Sequence, residues 1–514
     1  MTSPAAVATP PGALSVRALS ALVALAGAAF YGFVALSAMH VENGHFGTLI
    51  YDELFLTIMA GELSLPARLL SWEGHYHADG TGYLYHGVGP LITRFLAAPF
   101  VEIGTISLST VSVWLWAVVG TALYHATFLK IAARHWPAGA ANAPLWAGML
   151  GIAAWLASPG MYFASNHSIY MEPIALAYAA TAGFVYLWFS NHLAGRHLVA
   201  ILVPLGALAA VALHARPNIA IGLYGGAVLA IGWSLWTLRA RALLPAVLSL
   251  ALMGASGLGL LALNKARFGD PTTTHGALAE AKVQHGVIYW GFDSEDSPRS
   301  SAYMRAGRFN LARVPANLAM YTLTPAPLGG VMDEAFFKAI GWHRAAAASR
   351  GDYQRLEGPG GGMLGMWMPW VVLAFAGLAL ARSRMRPHAG LLVATGTAAL
   401  LMLAYPTVTL RYHIDVWPFV AVLAAIALAV LTPKLAGARF AGFARTSFLA
   451  TLLVSMVVVQ VTAAAFRLQH ANRPGTLYRD WSEAECRMLA AARGFTMARR
   501  KFVCRAPRAP AAKG

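Results

Sequence analysis

The chain has 514 residues, of which 58% are hydrophobic and only 11% are charged, and its mean hydropathy is +0.57. Because soluble proteins carry about 25% charged residues, this composition excludes a soluble protein and indicates an integral membrane protein. The formal net charge of +17 is better explained by basic cytoplasmic loops and anionic lipid headgroups than by nucleic acid. The two cysteines exclude a metal–thiolate cluster and a disulfide-rich fold.

Apolar runs bounded by charges or by Pro and Gly clusters predict about eleven membrane-spanning helices, and hence an all-α polytopic fold. The predicted spans are 16–38, 106–129, 144–163, 169–190, 197–214, 218–238, 242–264, 364–381, 388–405, 413–432 and 446–466. The first run has no small-residue cleavage site after it, which predicts a retained helix rather than a signal peptide.

Lys and Arg are concentrated in alternate short connections, which predicts that those connections and the N-terminus are cytoplasmic. Three long segments then lie on the opposite side of the membrane: residues 39–105, residues 265–363 and a short tail, 467–514. We expect one transmembrane domain over residues 1–466. Within it, 39–105 is expected to be a catalytic loop and 265–363 a lid or substrate-binding loop.

A carboxylate pair, Asp52 and Glu53, follows the first span. Either the pair occupies a solvated helix N-terminus, where the helix dipole favours acids, or one carboxylate is a general base at the membrane boundary. Asp52 is our candidate for the base, with Glu53 beside it. Two stretches with helical apolar spacing, 52–70 and 90–101, predict helices in the membrane interface, and Arg94 is expected to snorkel to the headgroups.

The stretch between these interfacial helices is rich in His, Tyr and Gly. Its candidate substrate-binding side chains are His75, His77, Asp79, Tyr83, Tyr85 and His86. Imidazoles and a carboxylate could bind a divalent metal, with His75, His77 and Asp79 as the candidates, although His-x-His in a loop lacks the fixed spacing of a helical i, i+4 pair. Hydrogen bonding to sugar hydroxyls and simple loop packing are the alternatives.

Polar residues also gather at the helix ends on the side of these loops. The candidates are Asn166, His167 and Glu172, then Arg216 between His214 and Asn218, and then Arg411, Tyr412, His413 and Asp415. Charges at such depth are costly and face the interior of a helix bundle unless they snorkel to headgroups. Arginine binds phosphate through charge-assisted, bidentate hydrogen bonds, so these positions predict a phosphate site.

Cys486 and Cys504 are the two cysteines, and both lie in the tail. If the tail lies outside the cytoplasm, an oxidising environment favours a disulfide between them. We therefore predict a bridge with a structural role.

The order of these motifs resembles the polytopic GT-C glycosyltransferases. The acidic pair is followed by Asp79-Gly80, Tyr83, Tyr85, Gly87, Gly89-Pro90 and Ala98-Pro99-Phe100. That series is similar to bacterial relatives of protein O-mannosyltransferases and aminoarabinose transferases, and the turn at Arg216 and the helix start at Arg411 resemble two further family motifs. The resemblance covers roughly residues 15–430. The wording His86-Gly87-Val88-Gly89 and the short tail depart from the family pattern and leave the sugar and the acceptor open.

The resemblance implies a bacterial cytoplasmic (inner) membrane enzyme with its site facing outward. It would transfer a sugar, with inversion, from a polyprenyl-phosphate donor to an extracytoplasmic glycan, lipid or protein. Asp52 would remove the acceptor's hydroxyl proton, Arg216 and Arg411 would bind the donor phosphate, and Tyr412 or His413 would assist. Apart from a divalent metal that the His-rich loop could hold, no cofactor is expected.

Two other functions fit a polytopic chain. A transporter or flippase of lipid-linked sugars would have broken helices and acids near the membrane midplane, whereas this chain concentrates its polar residues at one face. An O-antigen polymerase or ligase would depend on large outer loops rich in Arg and His. The acidic pair so soon after the first helix argues against that function.

Overall fold

The computed structural model of the protein describes residues 15–39, 45–136, 142–273, 283–358, 360–380, 382–435, 438–469, 471, 483–492 and 494–504. Helices dominate these residues. In chain order they are α1 (Val16–Met39), α2 (Ile50–Met59), α3 (Ala67–Leu70), α4 (Leu91–Ala97), α5 (Ser109–His135), α6 (Ala143–Leu156), α7 (Gly160–Ser165), α8 (Met171–Leu193), α9 (Leu202–Ala215), α10 (Pro217–Leu238), α11 (Ala240–Phe268), α12 (Gly286–Tyr289), α13 (Pro298–Ala306), α14 (Val314–Leu323), α15 (Val331–Ala348), α16 (Met363–Met366), α17 (Met368–Leu380), α18 (Arg382–Met385), α19 (Ala389–Leu403), α20 (Leu410–Leu435), α21 (Ala438–Leu468), α22 (Glu483–Ala492) and α23 (Met497–Val503).

Eight of the described helices are long and apolar enough to cross a membrane, namely α1, α5, α8, α9 with its preceding turn, α10, α11, α20 and α21. The protein is therefore an all-α polytopic membrane protein, as the sequence predicts. The count of about eleven spans is not confirmed. Three predicted spans are occupied by the shorter helices α6, α17 and α19, of 14, 13 and 15 residues. At 1.5 Å per residue such helices are about 20 Å long, less than the roughly 30 Å of a hydrocarbon core.

Close packing of the spans uses small residues. In α10, a Cβ added at Gly222 would lie 2.0 Å from the carbonyl oxygen of Ala394 in α19, and one at Gly226 would lie 2.6 Å from the Ala394 Cβ. Glycine at these positions therefore lets the two backbones approach, which is the usual way in which membrane helices associate. Elsewhere large aromatic side chains pack between helices: Trp370 of α17 and Trp417 of α20 are fully buried, with ring centroids 6.0 Å apart.

Short strands join the long segments to one another at one end of the helix bundle. Strand β1 (Gly74–His77) is the centre of a three-stranded antiparallel sheet, between β2 (Gly82–Leu84) and β3 (Val283–His285). Strand β4 (Arg355–Glu357) pairs in parallel with β5 (Thr407–Thr409), which leads directly into α20. The first and second long segments therefore pack together at what we call the loop end of the bundle.

The tail contributes a small disulfide-linked unit. Cys486 of α22 and Cys504 after α23 form a disulfide, with Cα atoms 5.7 Å apart. Between them, Phe495 lies against Tyr289 and Trp290, with ring centroids 5.4 and 6.1 Å away. Because Tyr289 and Trp290 belong to the second long segment, the tail packs on the loop end of the bundle.

Candidate functional site

Asp52 lies in a buried ion network at the start of α2. Arg94 Nε donates to Asp52 Oδ1 over 2.8 Å, and the same guanidinium binds both carboxylate oxygens of Glu172 at the start of α8. The N–H of Leu108 donates to Asp52 Oδ2 over 3.2 Å. The expectation that Arg94 snorkels is wrong: its side chain is completely buried, because two carboxylates within the bundle compensate its charge.

The electrostatics of this network give Asp52 the character of a base. Burial raises the pKa of Asp52 to about 6, with Arg94 acting in the opposite direction and Glu172 in the same one. A carboxylate with such a pKa is still mostly ionised at neutral pH, yet it is more basic than an exposed aspartate. Its neighbour Glu53 is also buried, at 7% exposure. The pair is therefore not the solvated helix start that one interpretation of the sequence expected.

A further buried carboxylate, Glu73, was not predicted from the sequence. It ends a 3-10 turn (Ser71–Glu73) just before β1, and it accepts hydrogen bonds from the hydroxyls of Tyr85 and Tyr170. His86 Nε2 lies 3.8 Å from Glu73 Oε2. Burial opposes ionisation of Glu73, but His86 and the two hydroxyls outweigh it and lower its pKa to about 2. Glu73 is therefore an anion that holds its neighbours in place.

Two arginines meet beside this carboxylate. Arg411, in the first turn of α20, donates to Glu357 over 2.6 Å, and its guanidinium lies 4.0 Å from the ring centroid of Tyr170. Arg216, between α9 and α10, donates to Asp415 through Nε and Nη2 over 2.8 and 2.5 Å.

Both guanidinium groups approach the same ring. The Arg216 carbon lies 5.3 Å and the Arg411 carbon 5.7 Å from the centroid of Tyr412. Two helix ends that are far apart in the sequence thus bring the positive charges of Arg216 and Arg411 close to the ring of Tyr412. Charges converging in this way, partly shielded from water, suit an anionic group such as phosphate.

A third arginine near these residues has a different environment. Arg267, in the last turn of α11, is 2% exposed and donates to the carbonyl oxygens of Leu84 and His86 and to Asn264 Oδ1. Its Nε–H has no hydrogen-bond partner among the described residues. In the part of the chain that the structure describes, Arg94, Arg216, Arg313 and Arg411 each bind a carboxylate, whereas Arg267 binds none. Arg267 was not singled out from the sequence.

The candidate metal ligands are not brought together. His75 packs its ring against His285 and Phe268, at 5.5 and 5.3 Å between centroids, and neither of its ring nitrogens has a hydrogen-bond partner among the residues that the structure describes. The Nε2 of His77 lies 2.9 Å from a backbone oxygen, and Asp79 accepts from a turn N–H. No three His, Cys, Asp or Glu side chains in the described ranges could hold a metal ion.

The remaining candidates divide between the site and the scaffold. Tyr83 pairs with His75 across β1 and β2 and packs on His77, with ring centroids 5.5 Å apart. Asn166 donates to two backbone oxygens at the end of α21, and His167 hydrogen-bonds within its own turn. His413 is bound through Nδ1 to the Thr409 carbonyl. Asn166 therefore anchors α21, whereas His167 is bound to its own turn and to the hydroxyl of Thr110 in α5.

Tight backbone contacts connect the Asp52 network to the arginines. The N–H of Gly89 donates to the carbonyl oxygen of His214, and a Cβ added at Gly87 would lie 2.0 Å from that oxygen. The hydroxyl of Tyr51 donates to the Gly87 carbonyl over 3.2 Å, while Arg94 lies 5.6 Å from the Tyr51 ring centroid. The glycines of the Gly87-Val88-Gly89 sequence are thus required because the loop touches the end of α9.

No protein-family model and no curated protein sequence matches this chain. Solved structures do resemble it. The oligosaccharyltransferase of Archaeoglobus fulgidus in its apo form is 12% identical with a TM-score of 0.46, over 89% of this chain and 56% of that one. The archaeal oligosaccharyltransferase AglB in complex with an inhibitory peptide and a dolichol-phosphate is 12% identical with a TM-score of 0.47, over 95% and 60%. ArnT from Cupriavidus metallidurans bound to undecaprenyl phosphate is 14% identical with a TM-score of 0.42, over 95% and 85%.

The proteins in these structures are GT-C glycosyltransferases, the class that the sequence motifs resemble. This chain spans just over half the length of the first archaeal protein, and the identities are low. The likeness therefore says nothing about donor, acceptor or catalytic residues, which have to be argued from the side chains of this chain.

Proposed function

We propose that this protein is a glycosyltransferase that transfers a sugar from a polyprenyl-phosphate donor to an extracytoplasmic glycan, lipid or protein. The observation that carries the proposal is the convergence of Arg216 and Arg411 on Tyr412 at the ends of membrane helices. A phosphate attached to a membrane lipid is an anion that can reach such a depth while its chain lies between the helices.

The donor phosphate would contact up to three guanidinium groups. Arg216 and Arg411 supply charge but are each hydrogen-bonded to a carboxylate, Asp415 and Glu357. Arg267 supplies a buried charge that no described carboxylate compensates, and an N–H without a partner. As the bond between sugar and phosphate breaks, negative charge grows on the phosphate, and fixed cations stabilise that charge without reorganisation.

Asp52 is our candidate for the general base. In the proposed step the acceptor oxygen attacks the anomeric carbon, its proton passes to Asp52, and the bond to the phosphate oxygen breaks with its electron pair leaving on the phosphate. The configuration at the anomeric carbon inverts. Arg94 and Glu172 would act as positioning residues, because Arg94 binds Asp52 Oδ1 and Glu172 binds Arg94. Glu53 is the alternative base.

The base is tested by amide substitutions, which keep shape but cannot accept the proton. We expect Asp52→Asn to lower the transfer rate by about 10²–10⁴ while donor binding persists. Because the pKa of Asp52 is about 6, wild-type kcat/KM should fall as the pH drops below that value. Glu102→Gln, at an exposed acid of the same segment, is the matched control. If Glu53→Gln is inactive and Asp52→Asn is not, Glu53 is the base; if both remain active, the carboxylate mechanism is wrong.

The donor and acceptor are identified in cells. Surface glycans, glycolipids and glycoproteins of cells that lack the protein are compared with those of the parent and of cells expressing Asp52→Asn. A single missing sugar in both mutant strains would name the transferred group and its acceptor. Unchanged glycans in both strains would refute the transferase proposal.

A further inference from the structure

His86 is enclosed by groups that Glu73 holds in place. Its ring lies between those of Tyr85 and Tyr170, with centroids 4.1 and 5.7 Å away, and both tyrosines donate their hydroxyls to Glu73. The side chains of His86 and Glu73 are only 14% and 10% exposed. The carboxylate thus fixes both neighbours of the imidazole and also faces its Nε2. His86 belongs to the sequence His86-Gly87-Val88-Gly89, where this chain differs from the motif of the family that it resembles.

Among the described residues, charged and titratable groups approach His86 from several elements. They are Glu73 from the turn before β1, Tyr85 of its own loop, Tyr170 before α8, Arg216 before α10, His285 of β3 and Arg411 of α20. Burial lowers the pKa of His86, Glu73 opposes that effect, and Arg411 and Arg216 add to it. Burial and the two arginines therefore disfavour the imidazolium form of His86 as long as no anion is bound beside them.

An anion bound to Arg216 and Arg411 favours the protonated form of His86 instead. It offsets the positive charges that disfavour the imidazolium, whereas the stabilising charge of Glu73 remains. We propose that His86, held by Glu73, takes up a proton when the phosphate of the lipid donor binds, and that the imidazolium helps Arg216 and Arg411 to hold that phosphate. The inference rests on the proposed function. Glu73 is then a positioning residue, and His86 a direct phosphate ligand.

Proton uptake has a measurable consequence. Because the complex binds one more proton than the free protein, donor binding tightens as the pH falls, by up to about tenfold per pH unit. The carboxyl group of Asp52, whose pKa is about 6, also titrates in this range. The experiment therefore has to separate His86 from Asp52.

Calorimetry on the full-length protein in detergent provides the test. The probe is undecaprenyl methyl phosphate, a diester whose single charge does not change near neutral pH. Titrations at several pH values, each in two buffers with different ionisation enthalpies, give both the affinity and the number of protons taken up. We expect the wild type to take up about one proton and to bind more weakly as the pH rises.

The variants assign the proton. His86→Gln should bind more weakly, with an affinity that does not change with pH, and Glu73→Gln should take up fewer protons than the wild type. Asp52→Asn should keep the wild-type pH dependence. His192→Gln, at an exposed histidine in the last turn of α8, is the matched control and should behave as the wild type. Thermal unfolding of each variant in the same detergent shows whether it is folded.

Two results overturn the inference. One is a wild-type affinity that is independent of pH, and the other is a folded His86→Gln that still takes up the proton. Failure of the wild type to bind the probe at any pH, together with unchanged glycans in cells lacking the protein, would instead refute the proposed function and this inference with it.

Discussion

Removal of Arg94 should destabilise the protein strongly, although the sequence suggested a dispensable interfacial arginine. Its guanidinium is completely buried and is bound by Asp52 and Glu172, which are 1% and 0% exposed. Arg94→Ala leaves two carboxylates buried without their cation, and breaking such a group by removing one partner costs about 3–5 kcal/mol. We expect a loss of that size in the free energy of unfolding, measured by denaturant titration in detergent.

The loss should depend on pH in a defined direction. Without Arg94, the pKa of Asp52 in the folded protein rises further above its value in the unfolded chain, because the effect of burial is then no longer opposed by the guanidinium. The folded variant then binds more protons than the unfolded one, so its stability increases as the pH falls. The deficit relative to wild type should be largest at pH 8 and smaller at pH 5.

Two further variants make the reasoning refutable. Neutralising the whole network, with Arg94→Met, Asp52→Asn and Glu172→Gln together, should recover most of the stability because no unpaired charge remains buried. Arg299→Ala breaks a partly exposed pair with Asp293, 3.7 Å apart, and should cost less than about 1 kcal/mol. If Arg94→Ala is as mild as Arg299→Ala, the buried network does not form and Arg94 snorkels after all.

Three other predictions concern the donor site, the tail and the topology. Arg411→Ala should weaken donor binding and slow transfer, with a loss equivalent to about 2–4 kcal/mol, and Arg411→Lys should recover part of that loss. Arg355→Ala, at a half-exposed arginine that also contacts Glu357, should have only a mild effect in the same assay. Mass analysis of non-reduced peptides should detect the Cys486–Cys504 bridge, and Cys486→Ser should lower stability by about 2–4 kcal/mol; two free thiols in the isolated protein would contradict the bridge. Reporter fusions at Arg384 and Lys434 should report cytoplasm and a fusion at Ser300 or after residue 475 the outside, and a cytoplasmic signal at Ser300 would overturn the orientation.

The membrane helices were predictable because the bilayer imposes a length and a composition on them. The predicted spans 169–190 and 218–238 correspond closely to α8 and α10. The predicted spans that are not confirmed are the shorter helices, since hydropathy counts apolar residues but does not show where a helix ends. The predicted span 144–163, for example, covers both α6 and α7, which are separated at Pro159.

Parts of the candidate site could be predicted wherever a single charged residue occurs at a position at which burying its charge is costly. Arg216 and Arg411 stand out because a charge at the end of an apolar span needs a reason. Glu73 and Glu357 do not stand out, because their roles depend on partners 97 and 54 positions away, Tyr170 and Arg411. Arg94 was misinterpreted for the same reason, since Glu172 lies 78 positions further along the chain.

The charges around the proposed phosphate site lead to a final prediction about Arg267. A phosphate that binds Arg216 or Arg411 must share the guanidinium with Asp415 or Glu357, so part of the gain is lost as those hydrogen bonds weaken.

Arg267 has no described carboxylate to displace, and its buried Nε–H gains a partner when an anion arrives. Arg267→Gln should therefore weaken binding of undecaprenyl methyl phosphate more than Arg216→Gln does. Glu280 is a carboxylate that lies outside the described residues, so its effect on binding of the probe is measured separately with Glu280→Gln. If that variant binds the probe as weakly as Arg267→Gln, or if Arg216→Gln is the more damaging of the two arginine variants, an uncompensated charge at Arg267 is not what attracts the phosphate.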